Sequence, residues 1–357
     1  MTRILGIETS CDETSAAVLS GSGDRVTLES LVILSQDVHR IFGGVVPEIA
    51  SRAHLTAIVP VVERAIAEAK TELGAVDAVA VTNAPGLVGA LLVGVSFGKS
   101  LAFALDVPLV GVHHMEGHLF ATSLDHPDAV PPFTALLVSG GHTLLLDVEA
   151  WGVYRLLGST RDDAAGEAFD KVAKLLGLPY PGGKHVEALA KEVESNDLRF
   201  TRPMTRRDQR LGDPDYFDVS FSGLKTAVLN AVRSAQLTAP EDHGADPQRA
   251  LRASIASAFQ EALIDTLAEK TLRAVQAYGR ERVVLGGGVA CNKALAERVA
   301  RSVGPAGARV FAPAPRLATD NAAMIARAGI FRLERGDTAR LDLNAYASLP
   351  LPGLVAA

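Results

Sequence analysis

The sequence predicts an α/β protein of two lobes, each laid out in the order βββαβαβα. Three observations lead there. The chain has 357 residues, enough for two domains at roughly 100 to 200 residues each. Short apolar runs alternate with longer segments whose apolar residues recur three and four apart. The same succession restarts after a Pro-containing stretch at 125–132. In the first half, runs at 4–8, 15–19 and 27–34 read as strands, with Gly21-Ser22-Gly23-Asp24 as the turn between the second and third. Over 48–70, Leu55, Ile58, Val59, Val62, Ile66 and Ala69 form the stripe of an amphipathic helix. A strand at 77–82, an apolar helix at 85–105, a strand at 108–113 and a helix from His114 onward complete the set. In the second half, strands at 133–138, 143–148 and 153–157 precede an irregular, helix-containing region over 159–246. A long helix at 248–278, a strand at 282–285, a helix at 292–303, a strand at 309–311 and a last helix at 320–334 follow. No residue-level repeat is visible, so the duplication rests on element order.

Composition narrows the function. Hydrophobic residues make up 48% and charged residues 21%, which gives ample core material and excludes disorder. The net charge of −6 excludes a surface that is basic throughout, so any nucleic acid must be met by a local patch or with help from partners. The two cysteines, Cys11 and Cys291, form neither a disulfide framework nor a thiolate zinc site. An acidic residue at position 8 interrupts any signal-peptide core. The most apolar run, 84–98, contains four glycines, is closed by Lys99 and falls short of the roughly 20 residues of a membrane span. The expectation is a cytoplasmic protein with no membrane contact.

Two lobes with a hairpin after each first strand resemble the actin, sugar-kinase and Hsp70 ATPase architecture, in which paired hairpins grip nucleotide phosphates in a cleft. The segment 6–15, Gly-Ile-Glu-Thr-Ser-Cys-Asp-Glu-Thr-Ser, makes the first hairpin, and 138–143, Val-Ser-Gly-Gly-His-Thr, makes the second. Glycine lets backbone N–H groups approach phosphate oxygens. Either segment alone also suits an ordinary turn; the matched pair favours a nucleotide.

His113-His114-Met115-Glu116-Gly117-His118 is the densest chemical signal. On a helix, His114 and His118 stand one above the other on one face, which suits one metal ion. A zincin needs glutamate directly after its first histidine, whereas Glu116 lies about 200° around the helix from His114 and points away from such an ion. That argues against a metalloprotease. Because two neutral imidazoles leave an ion's charge uncompensated, a third ligand should be a carboxylate. Asp320, at the start of a last helix that in this architecture returns to the first lobe, can supply it. Helix capping or core packing also accounts for the histidine pair, and N-capping for Asp320, and on spacing alone both readings stand.

The remaining motifs are weaker. Gly286-Gly287-Gly288 and Asn292 follow a strand and precede a helix, where a flat ring can lie against bare backbone and a carboxamide can pair with it. Gly98-Lys99-Ser100 imitates the end of a P-loop, but Val93 stands where its first glycine belongs, and helix packing explains it. Glu167, Asp170 and Lys171 share a charged helical segment that also reads as a solvated face. The one basic cluster with an aromatic inside it spans 199–210, with Arg199, Phe200, Arg202, Arg206, Arg207 and Arg210, and either contacts RNA phosphates or forms a solvated loop.

Taken together, the motifs resemble the universal tRNA threonylcarbamoyladenosine transferase family, TsaD in bacteria, once misnamed O-sialoglycoprotein endopeptidase. They are GIETSCDETSAAV from Gly6, FGGVVPEIASRAHL from Phe42, PGLVGALLVGVSFGKSLAFALDVPLVGVHHMEGHL from Pro85, SGGHT from Ser139, GEAFDKVAKLLGLPYPGG from Gly166, FSGLKTAV from Phe221, GGGVACN from Gly286 and TDNAAMIA from Thr319. The resemblance runs from residue 4 to about 335. It implies a two-lobed actin-like ATPase fold, with an N-terminal lobe over 1–124 joined by the helix 320–335, a C-terminal lobe over 132–319 with a helical insertion at about 159–246, and a tail over 336–357. It also implies that His114, His118 and Asp320 bind one Fe2+ per subunit, with Zn2+ as the alternative. Val138, Ser139, Gly140, Gly141, His142, Asp170, Gly183, Glu187 and Asn292 then hold threonylcarbamoyl-AMP, or ATP or ADP, in the cleft. Lys184 stands where the family usually has proline, Glu187 where some members have aspartate, and Ala318 where relatives often have cysteine. The implied reaction moves the threonylcarbamoyl group to N6 of adenosine 37 in tRNAs reading codons that begin with A, releasing AMP. Asp12 and Glu13 orient the amine or a water at the metal. Implied partners are tRNA, a TsaB-like paralogue, a TsaE-like ATPase and a TsaC-type synthase that makes the adenylate. A metalloprotease and a non-catalytic actin-like ATPase scaffold are the competing readings.

Overall fold

The computed structural model describes residues 2–206, 208–237 and 247–355. The chain divides into two compact units, one of Met1–Val130 with Pro313–Leu354 and one of Pro131–Ala312 with Val355–Ala357.

In the first unit, β1 (Thr2–Glu8) is buried from Ile4 to its end, so its sequence is a continuous apolar run rather than an alternation. It pairs antiparallel with β2 (Glu13–Ser22), which pairs antiparallel with β3 (Arg25–Ser35). Ser22 stands opposite Arg25, so only Gly23 and Asp24 turn the chain, a tighter loop than the sequence suggests, and φ of +55° at Gly23 favours glycine. α1 (Pro47–Glu68) leads to β4 (Ala78–Ala84), and α2 (Val88–Leu105) to β5 (Leu109–His113), both strands parallel to β1. The order is β3-β2-β1-β4-β5, followed by α3 (His114–Ala121).

The second unit repeats this plan. β6 (Phe133–Val138), β7 (Thr143–Ala150) and β8 (Val153–Ser159) form the antiparallel part. α4 (Ala165–Leu175), α5 (Gly183–Ala190), α6 (Ser222–Ser234) and α7 (Arg249–Tyr278) precede β9 (Arg282–Gly286), and α8 (Lys293–Val303) precedes β10 (Arg309–Phe311). The order β10-β9-β6-β7-β8 is that of the first sheet read from the other edge, so the duplication inferred from element order is present in the topology. The core of this unit gathers on α7, where Phe259 meets Phe169 edge-on at 5.3 Å.

α9 (Pro315–Ala318) and α10 (Ala322–Glu334) lie in the first unit. Leu5 and Ile7 of β1 pack in one cluster with Ile58 and Val62 of α1 and Leu91 and Val95 of α2. The alternate residues face α10: a Cβ on Gly6 would lie 2.4 Å from the Ala322 carbonyl oxygen, so only glycine admits the helix at this depth. Glu8, two residues on, points to the same side.

By length and composition α2 meets the requirement for a membrane-crossing helix. Gly94 and Gly98 nonetheless lie so close to Thr9 and Val81 that added Cβ atoms would meet them at 2.4 and 2.2 Å, the packing expected for Gly98-Lys99-Ser100. Lys99 Nζ donates to the carbonyls of Leu341 and Leu343, at 3.3 and 3.0 Å.

Lys270 on α7 is buried and donates to the carbonyls of Asp215 and Tyr216, at 3.0 and 2.7 Å. Burial, then the charge of Arg273, pushes its ammonium from 10.5 down to about 8. Between those values the unfolded chain holds a proton that the native state has released, so stability should rise with pH from about 8 to 10.5. Urea unfolding across that window should show a steeper rise for the wild type than for Lys270→Met. Equal slopes would contradict the shift.

Candidate metal centre

β5 delivers the chain directly into α3, so His114 opens the helix and His118 lies one turn further on. Their rings meet edge-on, with centroids 4.7 Å apart. Asp320 Oδ1 lies 3.4 Å from His114 Nε2 and 3.3 Å from His118 Nε2, and one ligand atom from each of the three residues falls within 4.8 Å of the others. The capping alternatives are overturned. His113 is the residue whose side chain caps α3, accepting from Met115 N at 3.3 Å. Asn321 caps α10, accepting from Met324 N at 3.1 Å, and the helix begins at Ala322. Both capping roles are therefore filled by direct neighbours of the three residues.

Core packing alone leaves one of the histidines unsatisfied. His118 is fully buried, and neither ring nitrogen has a hydrogen-bond partner, since its approach to Asp320 lacks the alignment of one. A buried imidazole left unpaired is costly unless something else occupies its lone pair. Two imidazoles converging with a carboxylate are the donor set of a borderline divalent ion such as Fe2+ or Zn2+, so these residues fit the metal that the motifs imply.

Electrostatics points the same way. Burial opposes the charge on Asp320, but His114 and His118 outweigh it and hold the carboxyl well below the usual range. Burial works against a charge on His114, yet Asp320 and Glu8 raise it well above an ordinary histidine, whereas burial keeps His118 below. The two carboxylates thus favour positive charge at His114.

Sequence reasoning passed over the groups around this triad. Glu8 is fully buried at the end of β1 and meets His114 Nδ1 at 3.1 Å. Ser15, opposite Glu8, accepts from Ala322 N at 2.9 Å, and Asn321 Nδ2 donates to the Thr319 carbonyl at 2.7 Å, so the backbone on both sides of Asp320 is held. His54 bridges Thr14 Oγ1 and the Cys11 carbonyl at 2.8 and 2.9 Å, fastening the first hairpin to α1. Asp12 and Glu13 sit on that hairpin. Burial, then Asp320 and Asp12, push the Glu13 carboxyl up to about 10. Glu116 is buried and accepts from Arg332 Nε at 2.6 Å, an ion pair that occupies it as a structural charge.

The adenylate residues implied by the motifs all lie in the second unit. The turn after Val138 closes on itself, with Ser139 N donating to the His142 carbonyl at 2.8 Å and His142 N to Ser139 Oγ at 3.1 Å. Gly166, at the start of α4, donates to the Ser139 carbonyl at 3.1 Å, and a Cβ on it would lie 2.6 Å from that oxygen. Gly287, with φ of +86°, comes as close to the Val138 carbonyl. Around Gly140, Gly141 and Gly183, by contrast, a Cβ would meet nothing within 4 Å, which leaves open space on bare backbone. Asp170 Oδ1 accepts from Gly182 N at 2.7 Å, and Glu187 Oε1 from Lys293 N at 3.3 Å. Asn292 caps α8 through its oxygen and donates to Gln260 Oε1 at 2.8 Å, which leaves one amide hydrogen for a ligand.

The basic segment departs from expectation. Phe200 belongs to the core of the second unit. Arg202 donates to Asp265 Oδ2 from Nε and Nη2, at 3.0 and 2.7 Å, and lies 3.2 Å from Glu261, which Arg199 also approaches at 3.7 Å. Arg206 pairs loosely with Asp208 at 3.8 Å, and Arg207 lies outside the described residues. A combination of arginine and aromatic that suggested RNA is in part a docking device for the loop. Arg202→Ala should therefore lower the free energy of unfolding by about 1.5–3 kcal/mol, the worth of charged hydrogen bonds, and leave the salt dependence of tRNA binding unchanged. A lowered salt slope at unaltered stability would restore the RNA contact.

Two α/β units sharing one strand order, with a histidine, histidine and carboxylate triad in the first that could hold a metal ion, define a protein of the actin-like ATPase fold class. Solved structures agree on the fold. HypF from T. kodakarensis superimposes with a TM-score of 0.60 at 16% identity, over 96% of this chain and 49% of that one. Component A of the (R)-2-hydroxyglutaryl-CoA dehydratase of Acidaminococcus fermentans does so with 0.53 at 12%, over 94% and 100%. Residues 27–327 match the family model described as TsaD, tRNA N6-adenosine threonylcarbamoyltransferase, and the chain belongs to that family. Proteins of that name from Gemmatimonas aurantiaca and Magnetococcus marinus are 66% and 51% identical, covering 99% and 98% of this chain and 98% of each relative.

Proposed function

We propose that this chain transfers the threonylcarbamoyl group of threonylcarbamoyl-AMP to N6 of adenosine 37 in tRNAs reading codons that begin with A, with release of AMP. The observation that carries the reading, in a chain of this family, is the buried triad of His114, His118 and Asp320 with both His118 nitrogens unpaired. Those three residues would hold Fe2+, or Zn2+ in its place. When bound, the ion supplies Lewis acidity toward the carbamoyl carbonyl, which a weakly nucleophilic exocyclic amine needs.

The chain's own residues do the rest. The backbone at Gly140 and Gly141 receives the adenylate phosphate, where side chains are absent and N–H groups can follow the charge that grows on the leaving oxygen. Asp12 and Glu13, on the first hairpin, orient the amine. As the N6–C bond forms, the C–O bond to phosphate breaks, its electron pair leaves on the AMP phosphate, and that phosphate takes the proton that N6 gives up. A loop adenosine suits such a site because its base can be splayed out.

A TsaB-like paralogue, a TsaE-like ATPase and a TsaC-type synthase complete the system in the cytoplasm. Leu55 and Val59 on α1, with Val88, Leu92 and Phe103 on α2, are exposed apolar side chains that support the docking of a paralogue. The metalloprotease reading lacks a base, since Glu116 is taken by Arg332, and the scaffold reading leaves the triad unexplained. Incubation of the chain and its partners with threonylcarbamoyl-AMP and unmodified tRNA should yield threonylcarbamoyladenosine and AMP in equal amounts. Modification of a tRNA with guanosine at position 37, or hydrolysis of casein instead, would refute the assignment.

A further inference from the structure

We propose that Glu8 is a positioning residue for the metal centre, holding His114 with a proton on Nδ1 and Nε2 turned to the point it shares with His118 and Asp320. The assignment rests on reading the triad as a metal site. Glu8 is fully buried on the face of β1 that turns to α10, where an unpartnered carboxylate would be untenable. Its own chain satisfies it from three directions. Ser10 N donates to Oε1, Thr82 Oγ1 donates to Oε2 at 2.6 Å, and His114 Nδ1 lies 3.1 Å from Oε2. Ser10 Oγ is a further 3.2 Å neighbour of Nδ1.

His114 Nδ1 lies 3.1 Å from the Glu8 carboxylate, which can only accept, while Nε2 stands 3.4 Å from Asp320 Oδ1 on the side shared with His118; once Nε2 is given to a metal, the ring's one hydrogen belongs on Nδ1, where Glu8 receives it. Thr82 and Ser10 fix the carboxylate, the carboxylate fixes the ring, and the ring presents one lone pair in one direction. His118 has no such partner on Nδ1. The two imidazoles are therefore unequal: one is aimed and made more basic by a buried carboxylate, and the other is placed by packing alone. A carboxylate behind a ligating histidine raises metal affinity about 10–100-fold.

The test compares the full-length chain with Glu8→Gln and Glu8→Ala in a Zn2+ competition titration against a chromophoric chelator, with 15N-histidine NMR of the Zn2+-loaded proteins. The wild type should take one Zn2+ and show a slowly exchanging, downfield His114 Nδ1–H. Glu8→Gln, which keeps the size but loses the charge, should bind about tenfold more weakly, and Glu8→Ala up to about a hundredfold, with the Nδ1–H resonance lost to exchange. Should Glu8→Ala fail to fold, Glu8→Gln decides. Folded variants that bind Zn2+ within threefold of the wild type, or an Nδ1–H unmoved by the substitutions, would reduce Glu8 to a support for the hairpin. A wild-type chain that takes no Zn2+ would remove the metal reading itself and this assignment with it, a result seen before any variant is made.

Discussion

His118→Ala is expected to lose bound metal and threonylcarbamoyl transfer together, with transfer falling about a thousandfold. Lewis-acid stabilisation of a developing charge contributes several kcal/mol, and each 1.4 kcal/mol is tenfold in rate. Removing one of three donors should abolish stoichiometric binding, because Asp320 and His114 alone leave half of a four-coordinate shell unfilled. The fold should survive, since the replaced ring has no hydrogen bonds to lose and its neighbours on α3 and α10 remain packed. Inductively coupled plasma mass spectrometry on anaerobically purified protein, together with thermal unfolding of the chelated forms, separates these effects. Full metal content in the variant would remove His118 from the site.

The second large effect is expected at the turn after β6. Gly140→Ala and Gly141→Ala should weaken adenylate binding at least tenfold while changing stability by less than about 0.5 kcal/mol, because a methyl at either position meets no atom of the chain. Gly287→Ala should behave oppositely. Its φ of +86° and the Val138 carbonyl oxygen 2.4 Å from the added Cβ make it costly to the fold before any ligand is present. Calorimetric titration with AMP, beside urea unfolding of the same proteins, reads both. Unimpaired AMP binding by Gly140→Ala and Gly141→Ala would place the adenylate elsewhere.

Local signals were the legible ones. Strand and helix order follows from apolar periodicity, and the one-turn spacing of His114 and His118 puts both rings on one helical face whatever the surrounding fold. Asp320 was ambiguous because aspartate and asparagine are both good caps and stand side by side; only the backbone, extended at Asn321 and helical from Ala322, assigns the cap to Asn321. Glu8 could not be read because a carboxylate ending a buried strand finds its partners 74 and 106 positions away, at Thr82 and His114. The partners of Arg202 and Phe200 were illegible for the same reason. Asp265, which neutralises Arg202, lies 63 residues downstream, and Phe200 enters a core assembled from α7. Residues whose role is fixed by distant partners leave no periodic trace, whereas a ligand pair on one helix does.

The most direct test of the account is transfer activity measured against metal occupancy. The purified chain is stripped of metal, reloaded anaerobically with increasing Fe2+ and assayed with its partners, threonylcarbamoyl-AMP and unmodified tRNA. Activity should rise in proportion to occupancy and saturate at one ion per chain, and His118→Ala should stay near the stripped level at every Fe2+ concentration. Transfer by the stripped protein at the rate of the loaded one would contradict a metal-dependent transferase built on His114, His118 and Asp320.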